Sequence, residues 1–276
     1  MAIVSLEYCV KNQKPIVFIH IPRTGGTSLH EMLTNKITGQ RPCPARFYFD
    51  LRLYSREELQ KYNLFSGHFG VEDCHLIDQP RYITLLRDPV DRVISLYTLW
   101  NAQVGIYRGT PRTDQNYAGV QLAINTTIDD FVRTTNPKIL SKISNTQSRF
   151  ILSGIGKDSF NENLGENTVE KVIERLENEF AWYGTIEQLS ANDKDLWKRL
   201  DVKTIDDSLP PHLNQITDLN KIDVSEETID YIMSINQFDR ALHQYVAHDE
   251  RQEASSTFRR LINLPMQQIS SIRGLT

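Results

Sequence analysis

Short apolar runs that end in turns, each followed by an amphipathic segment, shape the amino-terminal part of the chain. The run Ile16–Ile21 consists mainly of β-branched and aromatic residues, which is typical of a buried strand. A glycine-rich turn follows, and apolar residues then recur at helical spacing, at Leu29, Met32, Leu33 and Ile37. A second unit repeats the pattern, with a strand at Tyr82–Leu86 and a helix that begins at Pro89. Two strand–turn–helix units predict a parallel sheet that is covered by helices.

The remainder of the chain adds mainly helices to this predicted α/β fold. Helices are predicted over Ile128–Thr134, Val169–Phe180, Asn192–Leu200 and Glu226–Ala247, and a further strand over Ala181–Ile186. The stretch Asn101–Asn125 contains glycines and a proline and predicts a long loop. We therefore expect a single domain over residues 1–276 with its core at residues 15–247. Residues 249–276 form the expected helical carboxyl-terminal extension, a charged helix over Asp249–Leu264 followed by a tail.

The composition is that of an ordinary globular protein and excludes little. The chain of 276 residues carries 31 basic and 35 acidic side chains, which gives a net charge of −4. A nucleic-acid binder usually has an excess of basic residues, so we expect no nucleic-acid partner. Any site for an anion must therefore be built locally.

The turn after the first strand has the composition of such a site. Two glycines allow consecutive backbone N–H groups to face one anion, and the following helix contributes the positive end of its dipole. Arginine adds charge and hydroxyls add donors, so the predicted phosphate-binding residues are Arg23, Thr24, Gly25, Gly26, Thr27 and Ser28. A plain glycine turn with Thr27 or Ser28 as the helix cap is the alternative. The Walker A pattern is absent, which disfavours an ordinary ATPase or GTPase.

A second candidate anion site follows the second strand. Arg87 comes directly after the strand, and Ser95 lies about two turns into the next helix. Because a guanidinium can bind a phosphate through two parallel hydrogen bonds, this pair suits a second phosphate of the same ligand. The two sites are expected to be separate positive pockets at neighbouring strand ends. A structural salt bridge between Arg87 and Asp88 or Asp91 is the alternative.

Taken together, these blocks resemble the sulfotransferases that use 3′-phosphoadenosine 5′-phosphosulfate (PAPS). The segments HIPRTGGTSL and RYITLLRDPVDRVISLY are specific, and SGHF at Ser66–Phe69 is moderately so. The segments SNTQSRFILSG, WYGTIEQL and HLNQIT follow in the same order, so the resemblance extends over residues 16–247. The branch that the chain resembles includes the heparan sulfate and dermatan sulfate 2-O-sulfotransferases.

The resemblance implies a P-loop-like three-layer fold, PAPS as the donor, 3′-phosphoadenosine 5′-phosphate (PAP) as its product, and no metal. It places the 5′-phosphosulfate on Arg23–Ser28, with Arg23 also stabilising the leaving phosphate, and the 3′-phosphate on Arg87 and Ser95. It makes His68 the general base for in-line transfer, and a turn-closing role for this histidine is the alternative. Further nucleotide contacts are implied at His212, Leu213 and Asn214.

Two positions depart from the 2-O-sulfotransferase pattern, which has a lysine in place of Arg23 and a histidine in place of Ser66. Arginine still neutralises a leaving phosphate, although it stays charged and cannot lend a proton. The missing histidine leaves the acceptor open, with a sugar hydroxyl preferred over other small hydroxyl-bearing molecules. We expect Gln147 and Arg149 to line the acceptor pocket, unless their segment is simply packed in the core.

The sequence therefore predicts a PAPS-dependent O-sulfotransferase. The alternatives are a P-loop-type nucleotide kinase or NTPase and a non-catalytic carbohydrate-binding protein on the same fold. Cys9, Cys43 and Cys74 fit neither a zinc site nor a redox motif, and the longest apolar run is too short to span a membrane. We expect no stable membrane insertion and a cytoplasmic protein if Met1 is the native start, or otherwise a trimmed Golgi-lumenal domain. The oligomeric state is not predicted.

Overall fold

The fold is built around a sheet of parallel strands. The computed structural model describes residues 14–37, 39–102, 117–155, 164–191, 193–202, 204 and 222–248. The strands are β1 (Ile16–Ile19), β2 (Leu64–Gly67), β3 (Arg81–Leu86) and β4 (Phe180–Thr185). They are hydrogen-bonded in the order β2-β1-β3-β4, and each neighbouring pair is parallel.

Helices fill most of the described chain between and after the strands. They are α1 (Gly26–Lys36), α2 (Tyr48–Leu51), α3 (Arg56–Leu59), α4 (Pro89–Asn101), α5 (Tyr117–Asn125), α6 (Ile128–Val132), α7 (Pro137–Ile143), α8 (Thr146–Leu152), α9 (Thr168–Glu179), α10 (Ile186–Ala191), α11 (Lys194–Leu200), α12 (Glu226–Ile235) and α13 (Gln237–Ala247), with a short 3₁₀ turn at Val71–Cys74.

The strands are apolar on both faces because helices cover both faces of the sheet. Alternate side chains of a strand point to opposite faces. Val17 and Ile19 pack in one core with α8, α9 and α13, whereas Ile16 and Phe18 pack in the other with α1, α10 and α11. The predicted three-layer α/β fold with a central parallel sheet is confirmed.

A third apolar cluster lies among the helices α4, α5, α6, α7 and α12. Tyr97 and Trp100 of α4 both pack against Phe131 of α6, with ring centroids 5.2 and 5.9 Å apart. This cluster fixes α4 along its length. Because α4 is held in this way, its other residues also have fixed positions, including those near its amino terminus.

The predicted long loop at Asn101–Asn125 is wrong in part, because α5 occupies its second half. Gly119 lies inside this helix, where a side chain would come within 2.3 Å of the Trp100 ring. The glycine that indicated a loop is present because an indole packs on the backbone at that point. Residues 103–116 of the predicted loop lie outside the described residues.

Two further differences from the sequence-based prediction concern element boundaries. The helix predicted over Glu226–Ala247 is divided at Asn236, whose side-chain amide donates to the backbone carbonyls of Ile143 and Ile232. Strand β2 was not predicted, since its four residues LFSG carry only a weak strand pattern. The predicted helix over Asp249–Leu264 lies outside the described residues.

None of the helices that the structure describes is long and apolar enough to cross a lipid bilayer. The compartment in which the protein acts stays a prediction from the sequence.

Candidate active site

The predicted site residues follow the carboxyl ends of adjacent strands. His68 follows β2, the glycine loop follows β1, and Arg87 follows β3. Because β1 lies between β2 and β3, the loop has the histidine on one side and the arginine on the other. This edge is where parallel α/β sheets bind ligands. The expectation that Arg87 lies beside the glycine loop is confirmed.

The glycine loop leads into α1 without a side-chain cap. Gly25 is the residue before the helix and has the left-handed conformation, at φ 79°. Helix α1 then begins at Gly26, so Thr27 and Ser28 lie within its first turn and do not cap it. Thr27 is exposed. The positive end of the helix is therefore presented at the strand edge, as an anion site requires.

Thr24 has a structural place in this loop. Its side chain is fully buried, and its hydroxyl donates to the backbone carbonyl of Ile21 at 2.9 Å. The bond closes the turn between strand and helix. A contact between Thr24 and a phosphate stays a prediction, and it would have to come from the backbone N–H.

The ring of His20 leaves no space for a side chain at position 26, which explains the glycine there. A Cβ atom at position 26 would lie 1.9 Å from Cδ2 of the His20 ring, so any side chain there would have to displace the imidazole. The His20 ring also stacks on Phe18. The loop thus lies directly on the imidazole.

Arg23 and Ser95 are in direct contact. The Arg23 guanidinium donates to the Ser95 hydroxyl oxygen from Nε at 2.9 Å and from Nη2 at 2.8 Å. The Arg87 guanidinium donates from Nη1 to the backbone carbonyl of Arg23 at 3.3 Å. The two anion sites that the sequence predicts as separate pockets are therefore one continuous surface.

The predicted alternative for Arg87 is not formed. The Asp88 carboxylate accepts from the backbone N–H groups of Val90 and Asp91 and caps α4. No ion pair to Arg87 or Arg23 occurs within the described part of the chain. Burial and the neighbouring charge of Arg87 lower the pKa of Arg23. The pair therefore concentrates positive charge that a bound anion would neutralise.

Two buried cations that the sequence analysis missed extend this positive region. Arg92 of α4 is fully buried and donates from Nη2 to the Lys142 carbonyl at 2.9 Å and to the Thr146 hydroxyl at 3.1 Å. Its Nε and Nη1 have no hydrogen-bond partner among the described residues. Burial lowers the pKa of Arg92 to about 10, and burial together with the Arg92 charge lowers that of Lys142 to about 8.

A buried carboxylate orders the segment that supports Arg87. Asp239 of α13 is fully buried and accepts from the backbone N–H groups of Gln147 and Ser148 and from the Ser148 hydroxyl, at 2.7 to 2.9 Å. Gln147 in turn exchanges two hydrogen bonds with the backbone of Arg87, at 3.0 and 2.9 Å. The position of Arg87 therefore depends on a helix far along the chain.

The structure buries both residues that were predicted to line the acceptor pocket. The Gln147 amide is engaged with the Arg87 backbone, and Arg149 is 6% exposed and donates from Nε to the Ser144 carbonyl at 3.1 Å. These positions agree with the alternative of a packed segment. A direct contact of Gln147 or Arg149 with an acceptor stays a prediction.

His68 has the geometry of a base whose tautomer is fixed. Its Nδ1 lies 2.7 Å from the backbone carbonyl oxygen of His20. Because a carbonyl oxygen only accepts, Nδ1 carries the proton and Nε2 keeps its lone pair. Burial lowers the pKa of His68, the hydrogen bond to His20 opposes that change, and the charge of Lys142 adds to it. The imidazole is therefore neutral over a wider range of pH.

The remaining predicted nucleotide contacts, His212, Leu213 and Asn214, lie outside the described residues. The described residues contain no group of three or more His, Cys, Asp or Glu side chains arranged to bind a metal ion. Metal-independent transfer stays a prediction from the resemblance.

The fold is that of an α/β protein in which a histidine, a glycine loop and an arginine lie at the carboxyl edge of a parallel sheet. The model of the sulfotransferase family matches residues 6–246, and the chain belongs to that family. The family predicted from the sequence motifs is confirmed.

Three curated relatives are similar to part of the chain. Human heparan-sulfate 6-O-sulfotransferase 2 is 27% identical over an alignment of 142 residues that covers 40% of this chain and 24% of the relative. The mouse protein of the same name is also 27% identical over 142 residues, 23% of its length. Human heparan-sulfate 6-O-sulfotransferase 1 is 32% identical over an alignment of 116 residues that covers 33% of this chain and 28% of the relative. The chain thus spans about a quarter of the length of these relatives, which are 6-O-sulfotransferases, whereas its motifs resembled the 2-O branch.

Proposed function

We propose that the protein transfers a sulfuryl group from PAPS to a hydroxyl of a sugar, with His68 as the general base. The observation that carries this proposal is the order of groups along the sheet edge: base, glycine loop, arginine pair. Sulfuryl transfer needs a group that accepts a proton beside a site that holds two phosphates, and this order supplies both. Family membership and the names of the relatives support the same reaction and a sugar acceptor.

The residues at the strand edge fit the donor. The first turn of α1 and the exposed Thr27 suit the 5′-phosphosulfate, because backbone N–H groups and a hydroxyl there can face one anion. Arg87 suits the 3′-phosphate, and Ser95 is joined to it through Arg23, which contacts both residues. Nε and Nη1 of the buried Arg92, which have no hydrogen-bond partner in the described part of the chain, add to the positive field, which the Asp239 carboxylate offsets in part.

The base acts on the acceptor hydroxyl. As the acceptor oxygen forms its bond to sulfur, its proton passes to Nε2 of His68, and the bond from sulfur to the 5′-phosphate oxygen breaks. The electron pair of that bond leaves with PAP. The hydrogen bond from Nδ1 to the His20 carbonyl stabilises the imidazolium that results.

Arg23 and the loop amides stabilise the charge that grows on the departing phosphate. The hydrogen bonds from Arg23 to Ser95 fix the direction of the guanidinium before the ligand binds. Such preorganisation is effective because the groups do not have to reorient during the reaction. Burial of His68, together with the charge of Lys142, lowers the pKa of the imidazole and so favours the neutral form that accepts the proton.

Calorimetric titration with PAP, 5′-AMP and ATP tests the donor part of the proposal. We expect PAP to bind at least tenfold more tightly than 5′-AMP, because only PAP carries the 3′-phosphate. A preference for ATP over PAP would instead favour the nucleotide kinase alternative.

Transfer of radiolabelled sulfate from PAPS to heparan sulfate tests the reaction itself. Label is expected to appear in the polysaccharide and not in a control without protein. A protein that binds PAP but transfers no label to heparan sulfate or to other sugar polymers would contradict the proposed sugar acceptor.

A further inference from the structure

Two aromatic rings form an exposed apolar surface beside the proposed base. Phe47 and Phe49 are stacked, with ring centroids 5.2 Å apart and planes inclined by 8°. Their exposed fractions are 43% and 45%, which is unusual for large apolar side chains in the described part of the chain. We call this pair the aromatic platform. Exposed apolar surface of this kind often marks a ligand-binding site.

The platform is tied to His68 by backbone and ring contacts. The Phe47 ring centroid lies 5.7 Å from that of His68. The His68 N–H donates to the Arg46 carbonyl at 2.7 Å, and the Tyr48 N–H donates to the His68 carbonyl at 3.2 Å, so this segment runs beside His68 like a parallel strand. A molecule that lies on Phe47 therefore brings its neighbouring atoms close to the imidazole.

The platform is also held in its shape. The Asp50 carboxylate accepts from the backbone N–H groups of Arg46 and Phe47, both at 2.9 Å. Tyr48 packs edge-on against Phe49. Because the backbone of Phe47 is held by Asp50 and its ring packs against Phe49 and His68, an acceptor loses little binding energy in ordering the ring.

Positive charge lies at the same place. The Arg46 guanidinium donates to the Ser66 carbonyl at 2.9 Å and contacts Nε2 of His30 at 3.0 Å. Because a guanidinium only donates, His30 accepts this hydrogen bond, and burial and the charge of Arg46 lower the pKa of His30. Arg46 forms no ion pair with another described residue. Its charge favours a ligand that is itself negative.

We propose that the aromatic platform binds a sugar ring of an acidic polysaccharide acceptor and sets the hydroxyl that reaches His68. The C–H groups on the flat face of a pyranose carry partial positive charge and pack against the negative face of an aromatic ring. The carboxylate of the same chain lies in the field of Arg46. This inference rests on the proposed function and names the residues that select the acceptor.

A protein partner fits the platform less well than a sugar does. One aromatic side chain buries roughly 150–250 Å², whereas a stable protein–protein interface buries about 800 Å² on each partner. Two rings are far below that size, but they match the faces of one or two sugar units.

Steady-state kinetics with PAPS and heparan sulfate test the platform. Replacing Phe47→Ala should raise the KM for heparan sulfate roughly tenfold, as loss of ring stacking does for other ring-shaped ligands. The affinity for PAP, measured by calorimetry, should stay unchanged. Phe47→Trp should keep a low KM, and Phe47→Leu, which keeps the apolar volume without a ring face, should raise it.

Leu53→Ala is the matched control, because Leu53 is an exposed apolar residue of the same region at 79% exposure. Its KM should equal that of the wild type. An unchanged KM in Phe47→Ala, or an equal rise in Leu53→Ala, would overturn the platform. If Phe47→Ala does not fold, Phe47→Leu and Phe47→Trp decide the question by the same comparison.

Heparan sulfate with reduced carboxyl groups tests the acidic part of the proposal. Its KM should be several-fold higher than that of the unmodified polysaccharide, and equal values would contradict a role for the Arg46 charge. Failure of the wild type to bind PAP and to transfer sulfate would overturn the proposed function and the platform together. Normal wild-type activity with an unaffected Phe47→Ala variant would overturn the platform alone.

Discussion

The Arg23 guanidinium holds the hydroxyl oxygen of Ser95 with two hydrogen bonds, although 72 residues separate the two along the chain. One residue belongs to the glycine loop after β1 and the other to the helix after β3. The contact makes one site out of two strand ends. A ligand that reaches from the loop to Arg87 would therefore meet groups that already hold fixed positions relative to one another.

Removing the Ser95 hydroxyl should weaken donor binding modestly. In Ser95→Ala the Arg23 guanidinium loses both hydrogen bonds and must be ordered by the ligand instead. We expect the affinity for PAP to fall roughly 3- to 10-fold, the range of one or two ordinary hydrogen bonds. Thr98→Val on the same helix is the control, since its hydroxyl donates only to the Ile94 carbonyl. Equal losses in the two variants would speak against a role for the Arg23–Ser95 contact.

Arg87→Ala should impair the recognition of the 3′-phosphate. We expect the affinity for PAP to fall by a factor on the order of 10 to 100, because a charge-assisted contact is lost, and the affinity for 5′-AMP to change little. Calorimetry with both nucleotides measures the difference. Arg199→Ala is the control, because this arginine lies at the opposite end of the sheet. Its neighbour in sequence, Leu200, accepts a hydrogen bond at its carbonyl from Arg81, the first residue of β3. If PAP and 5′-AMP weaken alike, the 3′-phosphate is bound elsewhere.

His68→Ala should lower kcat roughly 10²- to 10⁴-fold, the usual contribution of a general base. Binding of PAP should be nearly unchanged, because in the proposed mechanism the histidine acts on the acceptor and not on the phosphates. His75→Ala is an exposed control seven positions further on. Parallel loss of turnover and PAP affinity in His68→Ala would instead indicate a structural role.

The pH dependence of kcat/KM should follow the imidazole of His68. Activity is expected to fall as the pH drops through the lowered pKa of His68, because the imidazolium cannot accept a proton. Lys142 carries charge below its own pKa of about 8 and disfavours protonation of the nearby histidine. In Lys142→Met that repulsion is gone, the pKa of His68 rises, and the acidic limb should move to higher pH. A limb that stays in place or moves to lower pH would contradict the coupling.

Asp239→Ala should destabilise the protein by about 3 kcal/mol. The substitution leaves buried backbone N–H groups of Gln147 and Ser148 without an acceptor and removes the negative charge that favours the charged forms of Arg92 and Arg149. Urea unfolding measures the change. The exposed Glu174→Ala on α9 should change the free energy of unfolding by less than about 0.5 kcal/mol. A similar small change in Asp239→Ala would show that the network is dispensable.

Much of the fold could be predicted from local patterns. The apolar runs of β1 and β3 are buried on both faces, so their composition alone indicates a parallel sheet. The glycine loop and Arg87 could be found because each directly follows such a strand. Their proximity then follows from the rule that parallel strands end at one edge.

The residues that the sequence did not predict are brought together only by tertiary structure. Lys142 and Arg92 are 50 positions apart and meet because α7 packs near α4, and no spacing within either segment indicates this. Phe47 looks like an ordinary core residue until the fold leaves it exposed beside His68. Gly119 indicates a loop in the sequence although it lies in a helix. A glycine is required there because the ring of Trp100, from the preceding helix, packs on the backbone.

The buried carboxylate of Asp239 determines when, during synthesis, the nascent chain can become able to bind a nucleotide tightly. A ribosome-bound fragment that ends before this residue already contains β1 to β4 and the glycine loop, but the amides of Gln147 and Ser148 then lack their acceptor. The backbone of Arg87 is consequently not yet held by an ordered Gln147. Tight capture of the bisphosphorylated nucleotide should therefore arise late in synthesis, after the last described helix has emerged and docked.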